Sequence, residues 1–292
     1  MKKVRIASVQ ARTDLSANYY QNNMEHAYET LREAAGFGAD IICLPETYPG
    51  PRYARDLPLD PFNEMSSIAK EIGRYVVYGT CSDALSAPGR HNLVEVLLGP
   101  DGKKIGEYRR TCPPGPWIYN ETGEFWDLNY IGENQFPVFD TDIGKIAMLQ
   151  CSELFMPELS RIMAIKGAEI LFIPAGKRKG AINENAIHLV RARAVENLMY
   201  VQTSVALLEH ENGLGLNMIA GPENQVAMSY DTGILYLDAD IERVRWLRQA
   251  EDSITQMYKG VNFRTKPGLL EQWRRPEIFG ELLDGVERNA QE

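Results

Sequence analysis

"KIAMLQCSELFMPELS", residues 145–160, sets a cysteine at the point where a buried strand gives way to a helix. The apolar run 146–149 ends in Gln150 and Cys151, and a helical segment begins near Pro157 and Glu158. In open α/β sheets, functional sites collect at the carboxyl ends of strands. A helix start adds unpaired N–H groups and partial positive charge, which favour the reactive thiolate. A lone cysteine can equally be a small buried hydrophobe. The rest of the chain has to decide between these.

Outward from this stretch the chain alternates. Periodicity predicts strands at 4–9, 39–44 and 75–81, and helices at 19–35 and 61–75. "GPDGK" (99–103) is a hairpin turn signal between strands at 92–98 and 104–108. Residues 111–135 show no period, and a loop of that length inside a domain is usually functional or poorly ordered. Alternation resumes with strands at 145–150, 170–173, 200–206, 218–220, 226–229 and 233–237, and helices at 157–166 and 183–198. Strand, helix, strand in both halves predicts one α/β domain with helices outside a central sheet layer, over 1–258. Beyond it, 259–292 is polar but carries Phe263, Leu269, Leu270, Trp273, Ile278 and Phe279. That tail is expected to pack on the body or on a neighbouring subunit.

The 292 residues, 44% hydrophobic, suffice for a large core. A net charge of −9 argues against nucleic acid or an anionic membrane as partner. No apolar run approaches the roughly 18 residues of a membrane span, and "MKKVRIASVQ" lacks the long apolar stretch of a signal peptide. Four scattered cysteines, Cys43, Cys81, Cys112 and Cys151, fit reduced thiols and a cytoplasmic location. No Cys/His pair has ligand spacing, so neither metal nor other cofactor is expected.

A thiol nucleophile needs a base. None of His26, His91, His188 and His210 has a context that points to Cys151. "ADIICLPETYPG" (39–50) instead puts Glu46 just past an apolar strand. If that strand neighbours the one leading to Cys151, the two side chains leave the same rim. A partly buried glutamate could then shuttle protons near neutrality, although an exposed turn glutamate is an equal reading.

These fragments resemble the nitrilase superfamily, the carbon–nitrogen hydrolases. "LPETYPG" around Glu46, "KIGEYRR" ending at Arg110, "CSELFMPE" from Cys151, "RARAVENLMYVQTS" (191–204), "GPENQV" (221–226) and "RRPEIFGEL" (274–282) occur in the family's order. The resemblance implies a four-layer α-β-β-α sandwich whose subunits associate, giving a homodimer or larger homo-oligomer. It also implies a triad. Glu46 would be the general base and Cys151 the nucleophile on an amide, carbamoyl or nitrile carbon. The family's lysine would stabilise the oxyanion.

Here the sequence departs from the family. Arg110 falls where the lysine belongs, and Cys112 replaces the usual histidine. Arginine keeps the charge but is longer, planar and permanently ionised, so the exchange is not conservative. Arg110 is expected either to do the lysine's work or to mark altered or lost hydrolysis. The family's second glutamate, which orients substrate and water, is expected near Phe125; Glu124 fits after a one-residue slip, with Glu121 as the runner-up. Tyr48, Ser152, Glu153 and Lys177 are the expected substrate contacts, with Lys177 on a basic loop that either meets a substrate carboxylate or is a solvated turn. The expected activity is hydrolysis of a small amide or N-carbamoyl compound through a cysteine thioester. A nitrilase and a non-hydrolytic family member are the alternatives.

Overall fold

The computed structural model describes residues 3–51, 59–83, 91–112, 135–176, 181–208 and 215–249. Two six-stranded mixed sheets form its centre. The first has the order β14-β1-β3-β4-β5-β6, from Gly233–Ala239, Val4–Gln10, Ile41–Cys43, Tyr75–Asp83, His91–Leu98 and Lys104–Arg109. The second has the order β13-β12-β10-β9-β8-β7, from Val226–Ser229, Asn217–Ala220, Tyr200–Thr203, Ile170–Phe172, Gly144–Met148 and Val138–Thr141. A short pair, β2 (Arg12–Thr13) with β11 (Leu207–Leu208), is separate from both. Each large sheet has the same plan. Three parallel strands, β1-β3-β4 or β8-β9-β10, carry the crossover helices, and antiparallel strands close both flanks.

The period-2 rule decides which residues face which layer. Ala7, Val9, Ile42, Leu44, Val76, Tyr78, Val94 and Val96 share a core with Met24, Ala27 and Leu31 of α1 (Tyr19–Gly36) and Met65 and Ile68 of α2 (Phe62–Ile72). The alternate positions face the other sheet. There Ser8 on β1 bonds Gln202 on β10 and Asn217 on β12, and Asn217 Nδ2 donates back to the Ser8 carbonyl at 2.7 Å. Helices α3 (Pro157–Ile165) and α4 (Ala181–Asn197) pack on each other, and α4 also packs on β10 and β12 of the second sheet. The architecture is therefore the expected α-β-β-α sandwich. A polar seam between the sheets fixes their register, because any slip would strand buried hydrogen-bonding groups.

Most elements follow the periodicity, with ends shifted by a few residues. β2, β7 and β11 are too short or too exposed to show a period. A last helix, α5 (Ile241–Gln249), was not anticipated, although Ile241, Val244 and Leu247 recur at helical spacing and are buried. The chain divides into two compact units, Met1–Ile241 and Glu242–Glu292. The expected tail, 259–292, lies outside the described residues. No described helix is long and apolar enough to cross a membrane.

Candidate active site

Cys151 is the first residue of a 3-10 turn, Cys151–Phe155, that follows β8. Its φ is 54°, left-handed and unfavourable for a residue with a Cβ. Flanking bonds hold it there. The Cys151 N–H donates to Pro174 O at 2.8 Å, and the Gln150 N–H donates to Glu153 Oε2 at 2.8 Å. The thiol-bearing residue is partly exposed. Burial pushes the thiols of Cys43 and Cys112 up, away from the reactive thiolate form.

Glu46 follows β3 at the carboxyl end of the first sheet. It does not come from a strand beside β8, as the shared-rim idea supposed: β3 and β8 belong to different sheets. The loop after β3 and the Cys151 turn come to one site because the sheets are stacked, and Arg110 bridges them through Glu46 and Ser152. Glu46 Oε2 accepts from the N–H of Gly176, on the segment that continues β9. Its Oε1 accepts from Arg110 Nη1 at 3.1 Å.

Arg110 follows β6, which pins its N–H to Leu93 O at 2.9 Å. The guanidinium reaches the loop after β3, the Cys151 turn and its own loop. Nη1 meets Glu46, Nη2 donates to Ser152 Oγ at 2.7 Å, and Nε donates to Cys112 O at 3.1 Å. Burial opposes the charge, but Glu46, Cys151 and Glu153 outweigh it and hold the guanidinium above its ordinary value. Arg110 thus lies beside Glu46 and beside Ser152, the residue after Cys151.

Glu153 has another task than the expected substrate contact. It has no exposed surface. Its Oε1 accepts from Tyr108 Oη at 2.7 Å, Cys112 N at 2.9 Å and Thr111 N at 3.0 Å. With Gln150 on the other oxygen, this one carboxylate ties the Arg110 loop to the Cys151 turn. Burial raises the Glu153 carboxyl, against the lowering effect of Arg110 and these donors. Tyr48 also moves out of the substrate set. Its ring is buried and its hydroxyl donates to Asn23 O on α1 at 3.0 Å, with His26 Nδ1 at 2.9 Å. Ser152 is at the site through Arg110. Glu124, Glu121 and Lys177 lie outside the described residues.

The sequence reading missed Glu95 and Gln150. Glu95, on β5, is fully buried and accepts from Gln150 Nε2 at 2.9 Å. Burial, and after it the charge of Glu46, hold its carboxyl well above the usual range. The signal was a lone carboxylate in the apolar run "LVEVLLG" (93–99).

Gly79 on β4 makes room for this cluster. A Cβ there would come within 2.4 Å of Thr47 N and 3.0 Å of Glu95 Oε1. The first contact is with backbone and cannot swing aside. Thr47 itself is held at a φ of 50°. Gly79→Ala is therefore expected to displace Glu46 and lower kcat about tenfold or more. Unchanged kcat in that variant would show that the Glu46 loop tolerates the shift.

Three comparisons bear on this geometry. The model of the family described as "Carbon-nitrogen hydrolase" matches residues 5–249. Among curated proteins, omega-amidase NIT2 of Mus musculus is 28% identical over 271 residues, covering 85% of this chain and 93% of that protein. Its Homo sapiens counterpart is 27% identical with the same coverage. Among solved structures, a carbon–nitrogen hydrolase from Helicobacter pylori G27 superposes with a TM-score of 0.75 at 19% identity, covering 96% of this chain and 98% of that one. An amidase from Nesterenkonia sp. superposes with a TM-score of 0.69 at 20% identity, covering 88% of this chain and 96% of that one. These last two likenesses speak for the fold.

Proposed function

Because the chain belongs to the carbon–nitrogen hydrolase family, we propose that it hydrolyses a small-molecule amide through a thioester on Cys151. The carrying observation is the convergence of Glu46, Arg110 and the Cys151 turn, through Arg110 Nη1 on Glu46 and Nη2 on Ser152. Omega-amidase relatives matched along most of their length favour an amide over a nitrile.

In the first half-reaction, Glu46 takes the thiol proton and the sulfur forms a bond to the amide carbon. Charge then develops on the carbonyl oxygen, and the Arg110 guanidinium stabilises it. Collapse breaks the C–N bond. The amine or ammonia leaves with the proton from Glu46, and a thioester remains. In the second half, Glu46 takes a proton from water, the hydroxide oxygen attacks the thioester, and the C–S bond breaks. The carboxylic acid is released and the thiol regains its proton. The sum is amide plus water giving acid plus amine.

Arginine in the lysine position is compatible with this reading, because its charge is upheld and its position is fixed from three sides. A cytoplasmic location and association into a homodimer or larger assembly belong to the same proposal. Cysteines present as thiols support the location, and the large apolar residues in the otherwise polar segment 259–292 support the association.

The test is a panel of small amides, including omega-amides, with N-carbamoyl compounds and nitriles, read as released acid and ammonia and as an acyl mass on the intact protein. Amide turnover with a transient acyl adduct on Cys151 is the expected result. Turnover of nitriles alone, or no adduct with any amide, would overturn the reading.

A further inference from the structure

Glu95 has no part in the reaction as written, yet it sits at the centre of the cluster. On β5 it lies directly between Gly79 of β4 and Tyr108 of β6. Its side chain is on the face turned to the second sheet, where Oε1 receives the Gln150 amide at 2.9 Å. Oε2 is buried with no hydrogen-bond partner among the described residues. An ionised carboxylate would leave a charged oxygen there without a donor, a far larger cost than a neutral carboxyl incurs. The groups facing it are Cys43 from β3, Glu46 from the following loop, Tyr108 and Arg110 from β6 and its end, and Gln150 and Glu153 from the turn after β8. A second buried negative charge beside Glu46 would also compete for Arg110.

Gln150 is the residue immediately before the nucleophile. Its backbone is held by Glu153 and its side chain by Glu95. A left-handed cysteine relaxes toward a commoner conformation unless both neighbours are fixed. We propose that Glu95 is a positioning residue: as a neutral carboxyl it anchors Gln150 and so holds the Cys151 backbone in its left-handed conformation. The inference rests on Cys151 being the nucleophile.

The test compares wild type, Glu95→Gln, Glu95→Ala and Cys151→Ala. Three readouts are used: kcat and KM on the best amide of the panel, the rate of Cys151 alkylation by iodoacetamide, and unfolding midpoints against pH. Glu95→Gln keeps a neutral acceptor for Gln150 and is expected to hold kcat within about threefold of wild type near neutrality. Glu95→Ala is expected to lose about tenfold or more in kcat with KM little changed, and to slow alkylation in parallel.

The pH dependence has a definite sign. The folded protein keeps the Glu95 proton at pH values where the unfolded chain has lost it. The stability from this group is thus fully present below the unfolded carboxylate range and falls away as pH rises through the raised folded value. Glu95→Gln should remove that fall. It should also remove the accompanying loss of activity at the upper end, where Glu95 ionises beside Glu46 in wild type.

Wild-type kcat in Glu95→Ala would overturn the proposal. So would a Glu95→Gln variant as slow as Glu95→Ala, since that would mean the ionised carboxylate is needed. Should Glu95→Ala fail to fold, the Glu95→Gln kcat and pH profile decide alone: near-wild-type kcat with the upper limb removed supports the proposal, and any other pattern overturns it. A Cys151→Ala enzyme that still turns over would instead remove the nucleophile reading, so the two failures are distinct.

Discussion

Cys151→Ala is expected to lower turnover by a factor of about ten thousand or more while the protein stays folded. In the proposed mechanism the side chain lost carries the atom that forms the bond, and no other described cysteine is placed to stand in for it. Cys43 is buried in β3 with its thiol pushed up by burial, and Cys81 is buried in β4. Cys112 is likewise pushed up, by burial and then by Glu153. The fold should survive because the strained conformation at residue 151 is imposed by backbone bonds to Pro174 and through Glu153, none of which uses the sulfur. Steady-state turnover and a thermal melt check the two halves of this expectation. Wild-type turnover in the alanine enzyme would remove Cys151 as nucleophile.

Arg110→Ala is the second large effect. Loss of one oxyanion donor typically lowers the rate about a hundredfold or more, and the proposed donor also pairs with Glu46. Its side chain is 7% exposed and paired with Glu46, itself 9% exposed. Removing the cation leaves a buried carboxylate without its partner, a change that destabilises by about 3–5 kcal/mol in comparable buried pairs. The expected result is a fall in kcat of at least about a hundredfold, together with a lower unfolding midpoint. Arg110→Lys separates charge from geometry. A lysine keeps the charge, but one ammonium on a shorter reach cannot meet Glu46, Ser152 and the Cys112 carbonyl together. It is expected to keep the fold and to lose about tenfold, measured as kcat on the same amide. A rate for Arg110→Ala equal to wild type would show that the guanidinium does not stabilise the oxyanion.

Arg110 also shows how far the sequence could be read. Its place after "KIGEYR" and its charge were visible, as was the conflict with a lysine. Its three partners were not. They lie 64, 42 and two positions away in sequence, in the loop after β3, the Cys151 turn and Arg110's own loop. Glu153 teaches the same lesson in the opposite direction. Its position beside Cys151 suggested a substrate contact, but the closeness of the two sheets turned it into the buried tie between two loops. Tyr48, two residues after Glu46, was drawn into the α1 core by its hydroxyl partners on that helix.

The sequence by itself determined the alternation of strands and helices, the faces that could be buried, and the placement of Cys151 and Glu46 just past apolar strands. Those properties are local: a period of two or of about 3.6 and the residues that end it are written in consecutive positions. Only the tertiary structure decided that β3 and β8 lie in opposite sheets whose carboxyl ends meet, that Gly79 leaves the space for Glu46 and Glu95, and that Glu95 faces Gln150. Contacts of about 3 Å between distant residues depend on how two sheets stack and in what register. That register is set by the whole polar seam between them, from Ser8, Gln202 and Asn217 at one end to Glu95, Gln150 and Glu153 at the other, and no single stretch of sequence carries it.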